Sequence, residues 1–381
     1  MRSVLKTDVV IIGGGISGIS TAFWLIKRGI KNVVVVEKAY IGSGSTFKCA
    51  TGIRASFTSE EHVVLMRESI NLWKALSQEL GFSYMRGGYV WLLSNEDQLK
   101  AFRELSRIHN SFGVPTRIIS VEDVEKLVSK IDTRSILCAL YDPLAGKADP
   151  FEALYSMAGF LRSAGVRILQ QVEATRILQN GPQVVGVETT KGIIQGPIVV
   201  VAAGYETRGL VKTVDVDLPL KNVPHHAVIT EAYKRAFDPL LVDAASGSYL
   251  VQTFHGGFIM GTEIEEREEA QPTPRVDFLY KVASVWIKYL PWLRNVNFLR
   301  YWVGYYVMSP DNHPIIGPLP EIDGLYVAAG FSGHGFMMGP IVGKILAEWI
   351  IDGKPSIPQA ARLSYKRIEE GKLIHEKAVI G

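Results

Sequence analysis

Three features of the 381-residue sequence predict an α/β protein built around a Rossmann-like dinucleotide-binding domain. The chain opens on an apolar run, a G-x-G-x-x-G turn, a helical stretch and a second apolar run closed by an acid. Two later apolar runs, VVVAAG and YVAAGFSG, also end in glycine. The third feature is length, because a chain of this size outgrows one small core and calls for a second lobe.

Asp8–Ile12 is short, apolar and β-branched, as in a strand buried on both faces. Gly13 allows the tight turn, Gly15 lets backbone approach a pyrophosphate, and Gly18 lets helix and strand pack closely. The helix start at Ile16 and Ser17 offers free N–H groups and a positive dipole end to phosphates, and the helix runs through Ser20–Lys27. Gly29 stops it, and Val33–Val36 forms the second strand. Glu37 then stands about twenty residues after the last motif glycine, placed for ribose hydroxyls, with Lys38 beside it. This motif alone fits NAD and FAD equally.

A small-residue loop follows (IGSGST, with Gly44, Ser45 and Thr46), then Lys48. Apolar spacing predicts helices at Glu60–Leu80, Glu96–Phe112 and Val121–Ser129, and a strand at Gly88–Leu93. Composition shifts to turn residues over Tyr141–Pro150, and Asp149-Pro150 starts a helix, Phe151–Ser163. Strands at Val166–Val172, Val184–Thr190 and Ile198–Ala202 return to the opening architecture. A second excursion carries strands at Ala227–Thr230, Tyr249–Thr253 and Gly257–Gly261. The chain comes back through Gly324–Ala329 to a last helix, Ile341–Asp352, with Gly339-Pro340 at its start. The expected division is a nucleotide domain of residues 1–86, 145–218 and 312–381. Residues 87–144 and 219–311 form an α+β substrate domain with a mostly antiparallel sheet.

Composition narrows the function. Lys+Arg 41 against Asp+Glu 38 gives no basic surface for nucleic acid. Two cysteines, Cys49 and Cys138, suit neither a disulfide framework nor a metal cluster, as in a reducing compartment. The first strand begins too early for a signal peptide, and no apolar run approaches the roughly eighteen residues of a membrane span. A cytoplasmic protein is expected.

Three glycine-rich strand ends at one sheet edge imply a long ligand, which FAD fits better than NAD. The second end contributes Ala203 and Gly204, and Val172 closes the neighbouring strand. The third contributes Gly330, Gly333, His334, Gly335, Phe336 and Met337. A helix start over the last of these would favour negative charge on a reduced flavin.

With VVIIGGGISGIS…VVVVEK, GSGST, VVVAAG, SPDNHPIIGP and GFSGHGFMMGP in this order, the sequence resembles the D-amino-acid oxidase-like flavoproteins. That family includes glycine oxidase, sarcosine oxidase and dimethylglycine dehydrogenase, and the resemblance covers essentially the whole chain. Within it, the sequence is most similar to the β subunits of heteromeric sarcosine oxidase and archaeal dye-linked L-proline dehydrogenase. The resemblance implies noncovalent FAD and oxidation of the C–N bond of a secondary amino acid. L-proline is favoured, giving 1-pyrroline-5-carboxylate, with electrons passing to a partner (α) subunit. The alternatives are a peroxide-forming sarcosine or glycine oxidase and a flavin-carrying relay subunit without a substrate site.

Departures from the family pattern are informative. Tyr306 stands where glycine oxidase holds the substrate carboxylate with arginine, and Met337 where monomeric sarcosine oxidase has lysine. Arg54 matches another arginine of that oxidase and is the expected carboxylate clamp. Ile259 replaces a lysine that assists oxygen activation, which points to a dehydrogenase. Glu263 is expected to orient or deprotonate the substrate ammonium, unless it only opens the acidic run EIEEREE. Strand alternation turns only one of His225 and His226 to the pocket, which Tyr249 and Tyr306 also line. Positions that tether flavins covalently in relatives are Gly304 and Ala148, and FMN held noncovalently at a subunit interface is compatible with this pattern. The aromatic stretch Trp286–Tyr306 reads as a core helix and strand, with a partner-docking face as the alternative.

Overall fold

The computed structural model describes residues 4–265, 267–268 and 271–377. Its central sheet has six strands in the order Arg167–Gln170, Val33–Glu37, Val9–Ile12, Ile198–Val201, Leu325–Ala329, Ile315–Pro318. All neighbours are parallel except the last pair. Val9–Ile12 and Val33–Glu37 are buried throughout because both faces of the sheet are covered, which explains their unbroken β-branched runs. On one face, Phe23, Trp73, Met157 and Ile345 arrive from the helices Ile16–Lys27, Glu60–Leu80, Pro150–Ser163 and Gly335–Asp352. On the other lie Ile177, Val184, Val187 and Ile194 from a separate four-stranded sheet.

That small sheet corrects one expectation. The Val184–Thr190 run does not rejoin the parallel sheet; Gln183–Thr189 pairs antiparallel with Ala174–Asn180 and Gly192–Gln195. Its burial is interrupted by exposed positions, as in a layer covered on one face only.

The last helix is a second correction. It begins at Gly335 with His334 as N-cap, so Pro340 lies in its interior and not at its start. An interior proline removes one hydrogen bond and pushes on the preceding turn, leaving carbonyls to be satisfied elsewhere. Here Ser69 Oγ and Trp73 Nε1 donate to the Met337 carbonyl at 2.6 and 2.9 Å, and Trp24 Nε1 donates to that of Pro340 at 3.0 Å. These bonds tie the helix to its neighbours on either side of the proline, whose own missing N–H is the one that would have bonded the Phe336 carbonyl. By contrast, the Asp149-Pro150 start is as expected, with the Asp149 carboxylate accepting from the N–H groups of Phe151 and Glu152.

The second large sheet has eight strands: Phe298–Met308, Lys221–Thr230, Phe258–Gly261, Ser248–Gln252, Leu240–Asp243, Tyr89–Leu93, Cys138–Asp142, Arg117–Ile119. Only Leu240–Asp243 and Tyr89–Leu93 pair in parallel. One face packs Val228, Leu250 and Met260 on Phe278 and Trp286 of the helix Val276–Tyr289. The aromatic stretch therefore divides between this helix, buried at Trp286 and Tyr289, and an edge strand whose Leu299 is exposed. The opposite face, with Tyr89, Trp91 and Tyr249, meets the loop after Thr46, where Gly52 packs under the Tyr89 hydroxyl.

Candidate functional site

Between the two large sheets runs a cavity of ≈ 320 Å³. Its wall includes Gly13, Gly15, Ile16, Ser17, Glu37, Lys38, Gly44, Ser45, Thr46 and Lys48. Ala203, Gly204, Gly330, Gly333, Gly335, Phe336 and Met337 continue it, and His225, Tyr249 and Tyr306 close it. Gly18, Val172, His334, Arg54 and Glu263 stand off the wall.

At the first end, Gly13 has φ +111°, and a Cβ there would lie 2.2 Å from the Ala202 carbonyl oxygen. A Cβ on Gly18 would lie 2.0 Å from the Gly13 carbonyl oxygen, so Gly18 sets how closely the helix start approaches the strand end. Glu37 Oε2 accepts the Gly14 N–H at 2.8 Å and Oε1 the Ala39 N–H at 2.8 Å. A carboxylate has about four lone-pair sites, so acceptor capacity remains for ribose hydroxyls. Val172 acts from behind, its N–H bonded to the Glu37 carbonyl. Thr46 Oγ1 accepts the Ile16 N–H at 3.0 Å and ties the GSGST loop to the helix start. A backbone-walled helix start beside a fixed acid fits the pyrophosphate and ribose of FAD.

In the middle, the first turn of the last helix, Gly335–Met337, lies on the wall, so its positive end faces the cavity. This start is closer to the cavity than Gly339-Pro340 would have put it. His334 is its buried N-cap residue and packs edge-on against Phe57 and His62.

At the far end, Tyr306 stacks on His225 with ring centroids 3.6 Å apart and planes 12° apart. Gly333 is what admits the Tyr306 ring, since a Cβ there would approach it to 2.5 Å. Burial pushes the Tyr249 and Tyr306 phenols well up and the Cys49 thiol up to about 12, and lowers His225 to about 4. This end therefore presents neutral polar groups. Both histidines border the cavity, but the His226 ring packs on Phe278 and is hydrogen-bonded through Nδ1 to the Tyr301 hydroxyl at 2.5 Å, so the ring stacked on the cavity-lining Tyr306 is that of His225.

Arg54 lies behind the wall with only 1% of its surface exposed. Its guanidinium carbon sits 3.8 Å from the Phe57 ring centroid and 5.2 Å from that of Trp91. Nη1 donates to the Ser56 carbonyl at 2.7 Å. Burial weakens the hold on its proton, while Tyr89, Glu376 and Asp142 strengthen it. Glu263 is exposed past its strand, and Ile259 is buried on the sheet face that carries Tyr249. Sequence reasoning missed Cys49, Thr51 and Trp302, which also line the cavity. Thr51 has φ +61°, a conformation no local signal announces, and Trp302 joins the wall by donating Nε1–H to the Lys48 carbonyl at 3.0 Å.

The depressed His225 predicts a pH effect on stability. Below its ordinary value near 6.5, the unfolded chain takes up a proton that the folded chain refuses until pH about 4. Stability from this group is complete above pH 6.5 and falls as pH drops toward 4, by about 3 kcal/mol at about 1.4 kcal/mol per unit. Thermal melts of His225→Gln across that window should show a shallower decline than those of the parent chain. Parallel curves would refute the assignment.

A family model for FAD dependent oxidoreductases (DAO) matches residues 8–349. The β subunit of sarcosine oxidase from Rhizobium meliloti (strain 1021) is 30% identical over 97% of this chain and 90% of its own. That of Rhodobacter capsulatus is 28% identical over 99% and 92%. Among solved structures, L-proline dehydrogenase from P. horikoshii superposes with a TM-score of 0.93, at 40% identity over 98% of this chain and 100% of that one. Among the described residues, no helix is long and apolar enough to cross a membrane. A cavity built for FAD and a match over most of the sequence agree: the chain belongs to the DAO family of FAD-dependent oxidoreductases.

Proposed function

We propose that this chain oxidises the C–N bond of a secondary amino acid, with L-proline favoured and 1-pyrroline-5-carboxylate as product. In this reading it is the catalytic subunit of a heteromeric dehydrogenase and its electrons leave through a partner. The observation that carries the reading is the far end of the cavity, where aromatic walls and neutral polar groups bound a space with the buried Arg54 charge behind the wall, a setting that suits a small ring bearing a carboxylate. FAD, when bound, supplies the hydride acceptor for the carbon beside nitrogen. Tyr249 and Tyr306 enclose the substrate ring and exclude water. His225, neutral across the working range, accepts a hydrogen bond from the amine N–H. With a pKa of about 4 it is too weak a base to keep an ammonium proton, so the amine enters the site deprotonated and turnover rises with pH.

The preference for a non-oxygen acceptor rests on charge. Lys38 and Lys48 are the lysines on the described wall, and Lys38 is paired with Glu206 at 2.5 Å. The strand Phe258–Gly261 brings no cation to stabilise superoxide. Anaerobic mixing with L-proline should bleach the flavin at least ~10-fold faster than sarcosine or glycine, and dye-linked turnover should exceed oxygen-linked turnover by a similar factor. Bleaching by glycine alone, or stoichiometric peroxide in air at the dye-linked rate, overturns the reading in favour of an oxidase. Failure of every amine to bleach favours a relay subunit.

A further inference from the structure

We propose that His62, His313 and Glu376 form a buried site for a divalent metal ion of the zinc class, clasping the carboxyl-terminal segment to the nucleotide lobe. Each residue offers one ligand atom, and these atoms lie within 4.8 Å of one another. His62 Nδ1 is 3.6 Å from Glu376 Oε2. Both histidines are fully buried, yet neither nitrogen of either ring has a hydrogen-bond partner in the structure. Buried polar atoms left this way cost about 1–3 kcal/mol each, and an ion would satisfy one nitrogen on each of the two stacked rings.

The chemistry suits a metal. Two imidazoles and one carboxylate, with a water in the fourth position, is a zinc donor set, with bonds of ~2.0–2.2 Å. Burial holds both rings neutral, the form that ligates. The Glu376 carboxylate accepts from the backbone N–H and hydroxyl groups of Thr58 and Ser59, so binding the ion replaces at least one of these bonds. His62 is stacked between Phe57 and His313, at 4.7 and 4.2 Å. The ion therefore needs the His313 ring to turn about its Cβ–Cγ bond and the ligands to close by about an ångström. Its effect is to join the start of a helix, a loop 251 residues later and the segment around Glu376, which are already drawn together by the Glu376 N–H donating to the Asp311 carbonyl at 3.0 Å and Asn312 Nδ2 donating to the Glu376 carbonyl at 2.9 Å.

The test uses the FAD-loaded chain, dialysed against chelator, equilibrated with Zn2+, desalted and analysed by mass spectrometry of the metal. The parent chain should retain about one ion, and its Tm should rise with added Zn2+. His313→Ala and His62→Gln should retain at least ~10-fold less and show no such rise. Absence of zinc from the parent chain overturns the proposal even if a variant fails to fold, because it means the rings are only hydrated. Equal retention by parent and variants overturns it too, by placing the ion elsewhere.

Discussion

Gly18→Ala should purify without its yellow colour, with FAD affinity at least ~100-fold below that of the parent chain, a loss of about 2.7 kcal/mol. The direction is opposite to local propensity, since alanine in a helix interior is favoured over glycine by about 1 kcal/mol. Packing decides the outcome. The new Cβ would stand 2.0 Å from the Gly13 carbonyl oxygen and 3.3 Å from Ile11 Cγ2. Backbone cannot yield as a flexible side chain would, so the helix start must move away from the end of Val9–Ile12. That displacement carries the N–H groups of Ile16 and Ser17 off their aim at the pyrophosphate. Gly29→Ala is the control. Gly29 has φ +95° but no atom within 4 Å of its would-be Cβ, so alanine there is strained without a clash and far from the cavity. Its Tm should fall by a few degrees, at roughly 1–2 kcal/mol, while flavin is retained. Flavin absorbance after desalting and titration calorimetry of the stripped chains read both outcomes. A yellow Gly18→Ala would mean that the close approach of helix and strand is not what holds the phosphates.

The parts legible in the sequence are those whose physics is local. Val9–Ile12 and Val33–Glu37 announce themselves because a strand buried on both faces has no polar side to alternate with. Asp149-Pro150 announces a helix because cap and first-turn proline act within three residues. The opening glycines have a fixed spacing because turn, phosphate approach and packing all lie within one turn of helix.

What was not legible depends on distant partners. Pro340 looks like a helix start, but the helix begins at Gly335, and the bonds that Ser69, Trp73 and Trp24 make to its first turns come from residues far away in sequence. The Gln183–Thr189 strand has apolar content enough for a core strand, and only its partners place it in the outer sheet. Sequence spacing put Arg54 in the loop that follows Thr46 but carried no information on which side of the wall its guanidinium would fall. The Phe57 and Trp91 rings settle that, and Trp91 comes from the other lobe.

The placement of Arg54 gives the last prediction, and its two roles are separable. Cys49, His225, Tyr249 and Tyr306 are all neutral at working pH, so the charges that act on Tyr306 come from Glu263, which raises its pKa, and from Arg54 behind the wall. The Arg54 guanidinium acts on Tyr306 against the rise that burial causes. If that charge holds the substrate carboxylate, Arg54→Met should raise KM for L-proline by roughly 10–100-fold, the worth of a charge-assisted interaction of about 1.5–3 kcal/mol. It should leave KM for pyrrolidine, which has the ring and no carboxylate, nearly unchanged. Arg54→Lys should fall between, because an ammonium keeps the charge but loses the planar stacking on Phe57 and the fork geometry. If Arg54 serves only to fill space between Phe57 and Trp91, Arg54→Met should change both substrates alike and lower Tm, since methionine covers less of both rings. Steady-state kinetics with the two substrates, beside thermal melts, distinguish a carboxylate anchor from a packing residue. Equal KM changes for L-proline and pyrrolidine would remove Arg54 from the substrate site and leave its carboxylate to be held by the phenols alone.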